Sequence, residues 1–378
     1  MASSTFDKCT LVKRLEEALA KEYSIPREAL EEVLAVNEVC NGAQLDWTMC
    51  LRRVIDTYKE KPGRLPWSTY EFTGLLHTGL LKEYIRETGL AGKGFLNILV
   101  VEVVGKKELL SSTRIPLDLT RASLLLSDAV MYVASQLPGR MDEVKGSGLG
   151  SLVVLRPHPL VNPYNPGSLI TPRDIVGRGG VNPAILVSLI PAPTRLDSSK
   201  IFQTIRGLFE DYWNNAVDSV GSITRIGLPP EDTVIVTVNP GDLTSIIRDE
   251  NPVPYIATLY TEEIVDKEDL IEKQFTKVLA SAFENHEAAG IAKYIDYSTR
   301  NLELYEKAVA AKGAPGNPLC TNCYKRPYVI ANTSEKSRVV TVETSIPGGE
   351  TVTLVLRLRP RERLCPLHAF LRLTGSHG

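Results

Sequence analysis

Two pairs of metal-ligating side chains stand near the C-terminal end of the sequence. Cys320 and Cys323 are separated by two residues, and after a gap of 41 residues Cys365 and His368 repeat that spacing. Thiolate and imidazole groups paired in this way are the ligands that zinc takes in tetrahedral structural sites. We therefore predict a structural Zn²⁺ held by all four, with no open coordination position for a substrate. The alternative is that they are unrelated buried thiols and a surface histidine.

The stretch between the two pairs predicts a β-hairpin. Arg338–Ile346 and Thr351–Arg359 are rich in Val and Thr, and they flank a loop of Pro347, two glycines and Glu350. Val and Thr favour strands, and glycines favour the tight turns of hairpins. We expect this hairpin to clamp the two ligand pairs in a zinc-binding module at residues 316–378.

Composition limits the class of protein. The chain has 378 residues, of which 43% are hydrophobic and 23% charged, as in soluble proteins of two or three domains. The apolar run Ile98–Val104 is too short to span a bilayer, and Met1–Thr10 lacks the features of a signal peptide. We expect a cytoplasmic protein with no membrane partner. Its other cysteines, Cys9, Cys40 and Cys50, are then expected to be reduced thiols.

Positive charge is concentrated at the C-terminal end. Residues 318–378 contain nine Lys or Arg against four Glu, whereas the whole chain has a net charge of −2. The candidate contact residues are Lys325, Arg326, Arg357, Arg359, Arg361 and Arg363, of which the last four alternate as on one strand. They could bind nucleic-acid phosphates or an acidic partner protein, or form a solvated strand face.

The periodicity divides the rest of the chain into three segments. Residues 1–94 form a helical N-terminal domain, since Leu11, Leu15 and Leu19 recur at helical spacing and Pro26 restarts the pattern. Residues 95–262 alternate apolar strands with helices, beginning at Phe95, in the order of a ferredoxin-like split βαβ sheet. Residues 263–315 are again helical. The fold class is α+β.

A segment rich in proline and glycine, residues 157–183, interrupts the second segment. Connections of this length without secondary structure are usually functional or disordered. Asn162, His158 and Arg173 offer polar contacts that a disordered segment would not require, and they favour the functional interpretation.

Three stretches together resemble one family, the large palm-containing subunit of type III CRISPR effector complexes, and most resemble its Cmr-type (III-B) version. The first is a strand, a glycine turn and a helix over residues 98–127, and the second is the proline-rich segment with the strand after it. The third is the cysteine module, in which His368 replaces the family's usual final cysteine. Pro116 and Leu117 depart from the family, which has polar and basic residues there.

The resemblance implies a nucleotide-facing surface on the first palm helix. Ser112, Arg114, Asp118 and Ser123 stand at the family's matching positions. They would face ATP at an interface with a second palm domain. The two serines are equally well explained as small residues in helix packing.

The catalytic motifs of the family are missing from this sequence. None of its five histidines is followed by Asp, as the family's nuclease requires, and neither Gly179-Gly180 nor Gly348-Gly349 is followed by the paired aspartates of its cyclase. The sequence ends ten residues after His368, so we expect the first palm and the zinc module only. A complete active site is not expected, because metal-dependent cyclase chemistry needs paired carboxylates.

Three functions remain open at this stage. The first is a subunit, or half of a split large subunit, of an RNA-guided antiviral complex that docks on other effector subunits, guide RNA and target RNA. The second is the non-catalytic half of a cyclic oligoadenylate synthase, completed by a separate palm-bearing chain. The third is a free-standing, zinc-containing regulator that binds nucleic acid.

Overall fold

The computed structural model describes residues 7–23, 25–42, 47–60, 69–103, 116–145, 147, 149–158, 162–165, 168, 184–231, 233–250, 253, 255–289, 319–323, 328–346 and 348–374. The chain is mixed α+β, and it divides into two compact units. Unit 1 comprises Met1–Glu102, Val130–Arg206 and Ala257–Ala289, and unit 2 comprises Val103–Ala129, Gly207–Ile256 and Gly290–Gly378. The division into four domains or segments that the sequence predicts (1–94, 95–262, 263–315 and 316–378) stays a prediction.

Unit 1 begins with five helices. They are α1 (Lys8–Tyr23), α2 (Arg27–Leu34), α3 (Val36–Cys40), α4 (Trp47–Glu60) and α5 (Thr69–Glu87). Leu11, Leu15 and Leu19 are buried along one face of α1, as their spacing predicts. Pro26 caps α2, since its fixed φ suits a helix start. The helical pattern predicted for this region is confirmed.

Cys9 and Cys40 form a disulfide, so the prediction that they are reduced thiols is wrong. Cys9 lies at the start of α1 and Cys40 at the end of α3, and the packing of these helices brings the two Cα atoms to 4.5 Å. That proximity arises from tertiary packing across 31 positions, which the spacing of cysteines in a sequence does not reveal. Cys50 is buried and forms no disulfide, as expected.

The four-stranded sheet consists of β1 (Phe95–Val103), β2 (Val154–Arg156), β3 (Ile185–Ala192) and β6 (Tyr255–Glu263), in the order β2-β3-β1-β6. β3 pairs antiparallel with both β1 and β2. Between β1 and β2 lie α6 (Pro116–Arg140), α7 (Asp142–Lys145) and a 3-10 turn (Gly150–Val153), and α8 (Ser198–Val220) follows β3. The unit boundary falls within β1, α6, α8 and β6.

A buried asparagine ties the strands of this sheet together. The Asn97 amide on β1 donates to the Ile190 carbonyl of β3, and its oxygen accepts from the Leu196 N–H and the Thr261 hydroxyl of β6. Because the side chain is fully buried, these bonds offset the loss of its hydration. After β6 come a 3-10 turn (Glu268–Leu270) and helix α10, residues 271–289.

Unit 2 contains two three-stranded antiparallel sheets. The first, in the order β4-β8-β9, consists of β4 (Ser222–Gly227), β8 (Arg338–Ser345) and β9 (Thr351–Leu358). The second, in the order β10-β7-β5, consists of β5 (Val234–Val236), β7 (Ile330–Asn332) and β10 (Arg363–Leu364). Its helices include α9 (Pro240–Glu250) and α11 (Pro366–Leu373).

The predicted hairpin is confirmed by β8 and β9, which pair from Arg338↔Leu358 to Ser345↔Thr351. Gly348 and Gly349 in its turn both have positive φ, which glycine adopts without steric cost. β4 was not predicted, and it adds a third strand beside β8. A hydrophobic core lies between these strands, α8, α9 and α11, and its largest members include Trp213 and Phe370.

No helix in the described part of the chain meets the length and apolarity needed to cross a bilayer.

Candidate metal centre

The first ligand pair lies in a turn that is hydrogen-bonded to the strand leading into the second pair. Cys320 and Cys323 lie at the ends of this turn, and between them the Thr321 N–H donates to the Arg363 carbonyl of β10 at 2.9 Å. In return the Arg363 N–H donates to the Thr321 hydroxyl at 3.0 Å. Since Arg363 is two residues before Cys365, these bonds bring the two pairs together across 41 intervening residues.

The second ligand pair lies at the N-terminus of α11. Cys365 is the N-cap residue, with extended backbone, and Pro366 begins the helix. His368 follows within the first turn, and side chains three residues apart lie on the same helix face. The Ala369 N–H donates to the Cys365 carbonyl at 2.9 Å, which closes this turn and fixes the spacing of the two ligands.

The four ligand atoms form a compact cluster in which every pair lies within 4.8 Å. The Cys365 Sγ to His368 Nδ1 distance is 3.1 Å, Cys320 Sγ to His368 Nδ1 is 3.7 Å, and Cys323 Sγ to Cys365 Sγ is 4.0 Å. Zinc bond lengths of about 2.3 Å to sulfur and about 2.0 Å to nitrogen place tetrahedral ligands about 3.5 to 3.8 Å apart. The cluster can therefore hold one metal ion, and zinc fits both its size and its ligand types.

All four side chains are buried in the core of unit 2. The Asn322 N–H points at Cys320 Sγ at a distance of 3.4 Å, and amide donors of this kind stabilise a thiolate. His368 presents Nδ1 to the cluster, while its Nε2 is buried and has no hydrogen-bond partner among the described residues. A closed, four-ligand, buried site is the arrangement of a structural metal rather than a catalytic one.

The electrostatics of the cluster favour a cation. Burial, followed by the neighbouring Cys320 and Cys323 sulfurs, raises the pKa of the Cys365 thiol well above its usual value. Burial alone would lower the pKa of His368, but contact with the same two sulfurs outweighs it and raises that pKa to about 9. A divalent cation at the centre would reverse both effects, because it stabilises thiolates and accepts the neutral Nδ1 lone pair.

Two interactions that the sequence analysis missed hold α11 at its C-terminal end. Arg372 and Glu362, both almost fully buried, form a two-fold ion pair with nitrogen to oxygen distances of 2.8 Å. The Arg121 guanidinium on α6 donates to the carbonyls of Leu371 and Arg372, each at 3.2 Å. Cations at a helix C-terminus interact favourably with its dipole and satisfy its free carbonyls. Only the i to i+10 placement of Glu362 and Arg372 could have suggested their pairing.

The predicted row of arginines does not lie on one strand. Arg357 is exposed on β9, but that strand ends at Leu358, and Arg363 belongs to β10 in the other sheet. Between them Arg361 has φ of 53°, and the Glu362 carboxylate accepts from the Arg359 N–H at 2.8 Å, which closes a turn. The regular alternation of the arginines in the sequence therefore spans a turn and does not mark one continuous strand. Arg361 is moreover paired with the Glu335 carboxylate.

The remaining candidate residues are only partly described. Ser112, Arg114, Lys325 and Arg326 lie outside the described residues, as do Arg173 and most of the proline-rich segment. Asp118 lies in the first turn of α6, and Ser123 is half-buried on the same helix, where its carbonyl accepts from the Ser127 hydroxyl at 2.9 Å. Asn162 is buried and donates to the Met131 carbonyl of α6 at 2.8 Å.

Neither of two comparisons with known proteins identifies a family. No protein-family model matches the chain, and no curated protein is similar enough to count as a relative. The geometry of the cysteine and histidine cluster is therefore the strongest functional observation.

Proposed function

We propose that Cys320, Cys323, Cys365 and His368 bind one Zn²⁺ that has a structural role. The observation that carries this proposal is the convergence of three buried sulfurs and one buried imidazole nitrogen within 4.8 Å. A divalent cation would stabilise the thiolate forms of these buried sulfurs, which burial otherwise disfavours. The metal would join the turn at Thr321 to the start of α11, and its binding energy would contribute to the folding of unit 2.

We further propose that the chain is a non-catalytic subunit, or half-subunit, of a type III CRISPR RNA-guided effector complex. Two features support this proposal. The strand order β2-β3-β1-β6, with α6 before β2 and α8 after β3, supports the ferredoxin-like split βαβ sheet that the sequence predicts. A Cys₃His cluster then follows this sheet in the chain, as the resemblance in sequence implies. Guide RNA, target RNA and other effector subunits would be its partners.

The division of the arginines bears on the choice among the three functions. A free-standing regulator that binds nucleic acid through one basic strand would need these residues to be presented together, whereas they are divided between β9, a turn and β10. Multiple phosphate contacts are what gives such a protein its affinity. A subunit that is held in place by neighbouring proteins has no such requirement. ATP binding at an interface with a second palm-bearing chain remains the secondary proposal.

The zinc proposal is tested by metal content and by a local probe of folding. Purified protein is expected to contain about one zinc per chain, and Cys365→Ser should lose most of it. Trp213 provides the probe, because its ring packs edge-on against Phe370 of α11 at 5.0 Å and its fluorescence should change when α11 is released. Cys50→Ser is the matched control, since Cys50 is also buried and outside any disulfide but lies in unit 1. Less than half an equivalent of zinc in the unaltered protein would contradict the proposal.

The subunit proposal is tested by purification from native cells through a tag on this chain. We expect stoichiometric recovery of RNA and of other subunits, with neither nuclease nor cyclase activity in the isolated chain. Asp118→Ala combined with Ser123→Leu should weaken ATP binding or assembly if α6 faces a nucleotide. Recovery of the chain alone, free of RNA, would reject this function while leaving the zinc proposal intact.

A further inference from the structure

A groove of about 550 Å³ lies between β5 and α9 in unit 2. Its apolar surface comes from Val236 and Val238 on one side and from Ile246 on the other. Asp242, Ser245 and Asp249 add a polar rim. Positions 242, 245, 246 and 249 follow helical spacing, so they form one face of α9 that looks into the groove. The metal cluster does not contribute to this lining.

Among the described residues, the strand side of the groove is a sheet edge with no partner strand. In the order β10-β7-β5, β5 is the last described strand. The Thr237 N–H donates to the Val329 carbonyl and the Thr233 carbonyl accepts from the Thr333 N–H, so the odd-numbered residues of β5 bond to the β7 side. Because backbone groups alternate along an antiparallel strand, those of Val234 and Val236 point to the open edge. Such an edge is a template for an added strand.

The helix side of the groove carries negative charge. Asp242 and Asp249 lie one above the other on α9, and both are exposed. Asp242 accepts a hydrogen bond from the Asn239 amide at 3.0 Å, which leaves its charge uncompensated. The described residues that line the groove include no Lys or Arg. This surface would repel phosphates and attract cationic side chains.

We propose that this groove binds an extended, basic segment of a partner protein, which adds a strand to the free edge of β5. Backbone hydrogen bonds to Val236 would supply affinity. Alternate side chains of the added strand would point towards α9, where apolar ones meet Ile246 and lysines or arginines meet Asp242 and Asp249. The partner is a protein rather than RNA because the rim is acidic. The inference does not depend on the RNA-guided assignment, since it uses only β5, α9 and their charges.

The test uses fluorescein-labelled peptides of about ten residues and the full-length protein. One peptide alternates Val with Lys and the other alternates Val with Glu, and binding is followed by fluorescence anisotropy in low and in physiological salt. We expect the lysine peptide to bind at least about tenfold more tightly than the glutamate peptide. This difference in affinity should become smaller as the salt concentration increases. The double variant Asp242→Asn, Asp249→Asn should lower the affinity for the lysine peptide about threefold to tenfold.

Two further variants separate strand addition from simple charge attraction. Val236→Pro removes an N–H that points to the open edge and keeps the bonds between β5 and β7, so it should abolish peptide binding and preserve the fold. Asp269→Asn removes an exposed carboxylate from unit 1 and should leave the affinity unchanged. The Asn double variant does not alter the backbone, so it remains informative if Val236→Pro misfolds. Equal binding of both peptides, or failure of both to bind, would overturn the proposal.

Discussion

Replacing Glu362 by Gln should destabilise unit 2 far more than replacing a surface glutamate of the same unit. The Glu362 carboxylate accepts two hydrogen bonds from Arg372 and one from the Arg359 N–H, all at 2.8 Å. The side chains of Glu362 and Arg372 are only 5% and 9% exposed. The change to Gln removes the carboxylate charge that faces the buried guanidinium, and losing one member of a buried pair costs about 3 to 5 kcal/mol.

Glu343 provides the matched control. It pairs with Arg225 at 3.4 Å, but these side chains are 37% and 71% exposed, so solvent screens their attraction. Glu343→Gln should therefore cost less than about 1 kcal/mol. Both free energies of unfolding are measured by urea denaturation, with Trp213 fluorescence as the signal and zinc content recorded alongside. Since the chemical change is identical, the contrast between the two positions follows from the burial of Glu362 and from its three hydrogen bonds.

A double-mutant cycle then identifies the source of the loss. If the cost comes from an isolated buried charge, Glu362→Gln combined with Arg372→Met should be less destabilising than the sum of the single changes by about 2 kcal/mol or more. The reasoning is refuted if Glu362→Gln costs no more than Glu343→Gln, or if the two single changes are additive. Additivity would mean that the pair contributes through packing rather than through charge.

Three other changes test unit 1 and the turn between α8 and β4. Burial lowers the pKa of His77 from 6.5 to about 4, so between these two values the unfolded state binds a proton at His77 and the folded state does not. The free energy of unfolding should therefore fall by about 2 kcal/mol between about pH 7.5 and about pH 5. His77→Phe should remove this contribution from the pH dependence of the urea midpoint. His286→Phe leaves the buried Thr258 hydroxyl without its 2.8 Å imidazole partner and should cost about 1 to 3 kcal/mol. Thr258→Val in the same chain should restore only part of this loss, because the 3.3 Å contact between the imidazole and the Glu102 carboxylate stays broken. Gly221→Ala should lower the thermal midpoint, because φ is 83° and the added carbon would lie 2.7 Å from a carbonyl oxygen. Gly207→Ala within α8 is the control, since the added carbon would meet open space, and this change should raise the thermal midpoint.

Local patterns were sufficient to predict several elements of this chain. The spacing of Leu11, Leu15 and Leu19 identifies a helix because one face of α1 is buried. The run of Val and Thr around two glycines identifies β8 and β9 because the turn and the strand preferences agree. The cluster of Cys320, Cys323, Cys365 and His368 could be predicted because a gap of two residues allows both side chains of a pair to reach one point.

Features that depend on contacts between distant segments could not be predicted in this way. Three of the six residues of β4 (Ser222–Gly227) are polar and exposed, and this segment becomes a strand through pairing with β8, more than a hundred residues later. The alternating arginines suggested one strand because their spacing in the sequence carries no sign of the turn between them. That turn is formed by Glu362 through its bonds to Arg359 and Arg372. The bond between Cys9 and Cys40 likewise depends on how α1 and α3 pack.

Helix α11 illustrates why the metal ligands and the buried ion pair belong to one arrangement. With eight residues it is too short to be stable by itself, and all eight are buried, so its free N–H and C=O groups cannot rely on water. At its N-terminus Cys365 and His368 join it to the turn at Thr321. At its C-terminus Arg121 satisfies two carbonyls, and Arg372 binds Glu362 in the turn that follows β9. Because Glu362 is only three residues from Cys365, the same short segment carries both attachments. The orientation of α11, and with it the position of two metal ligands, is therefore determined from both of its ends.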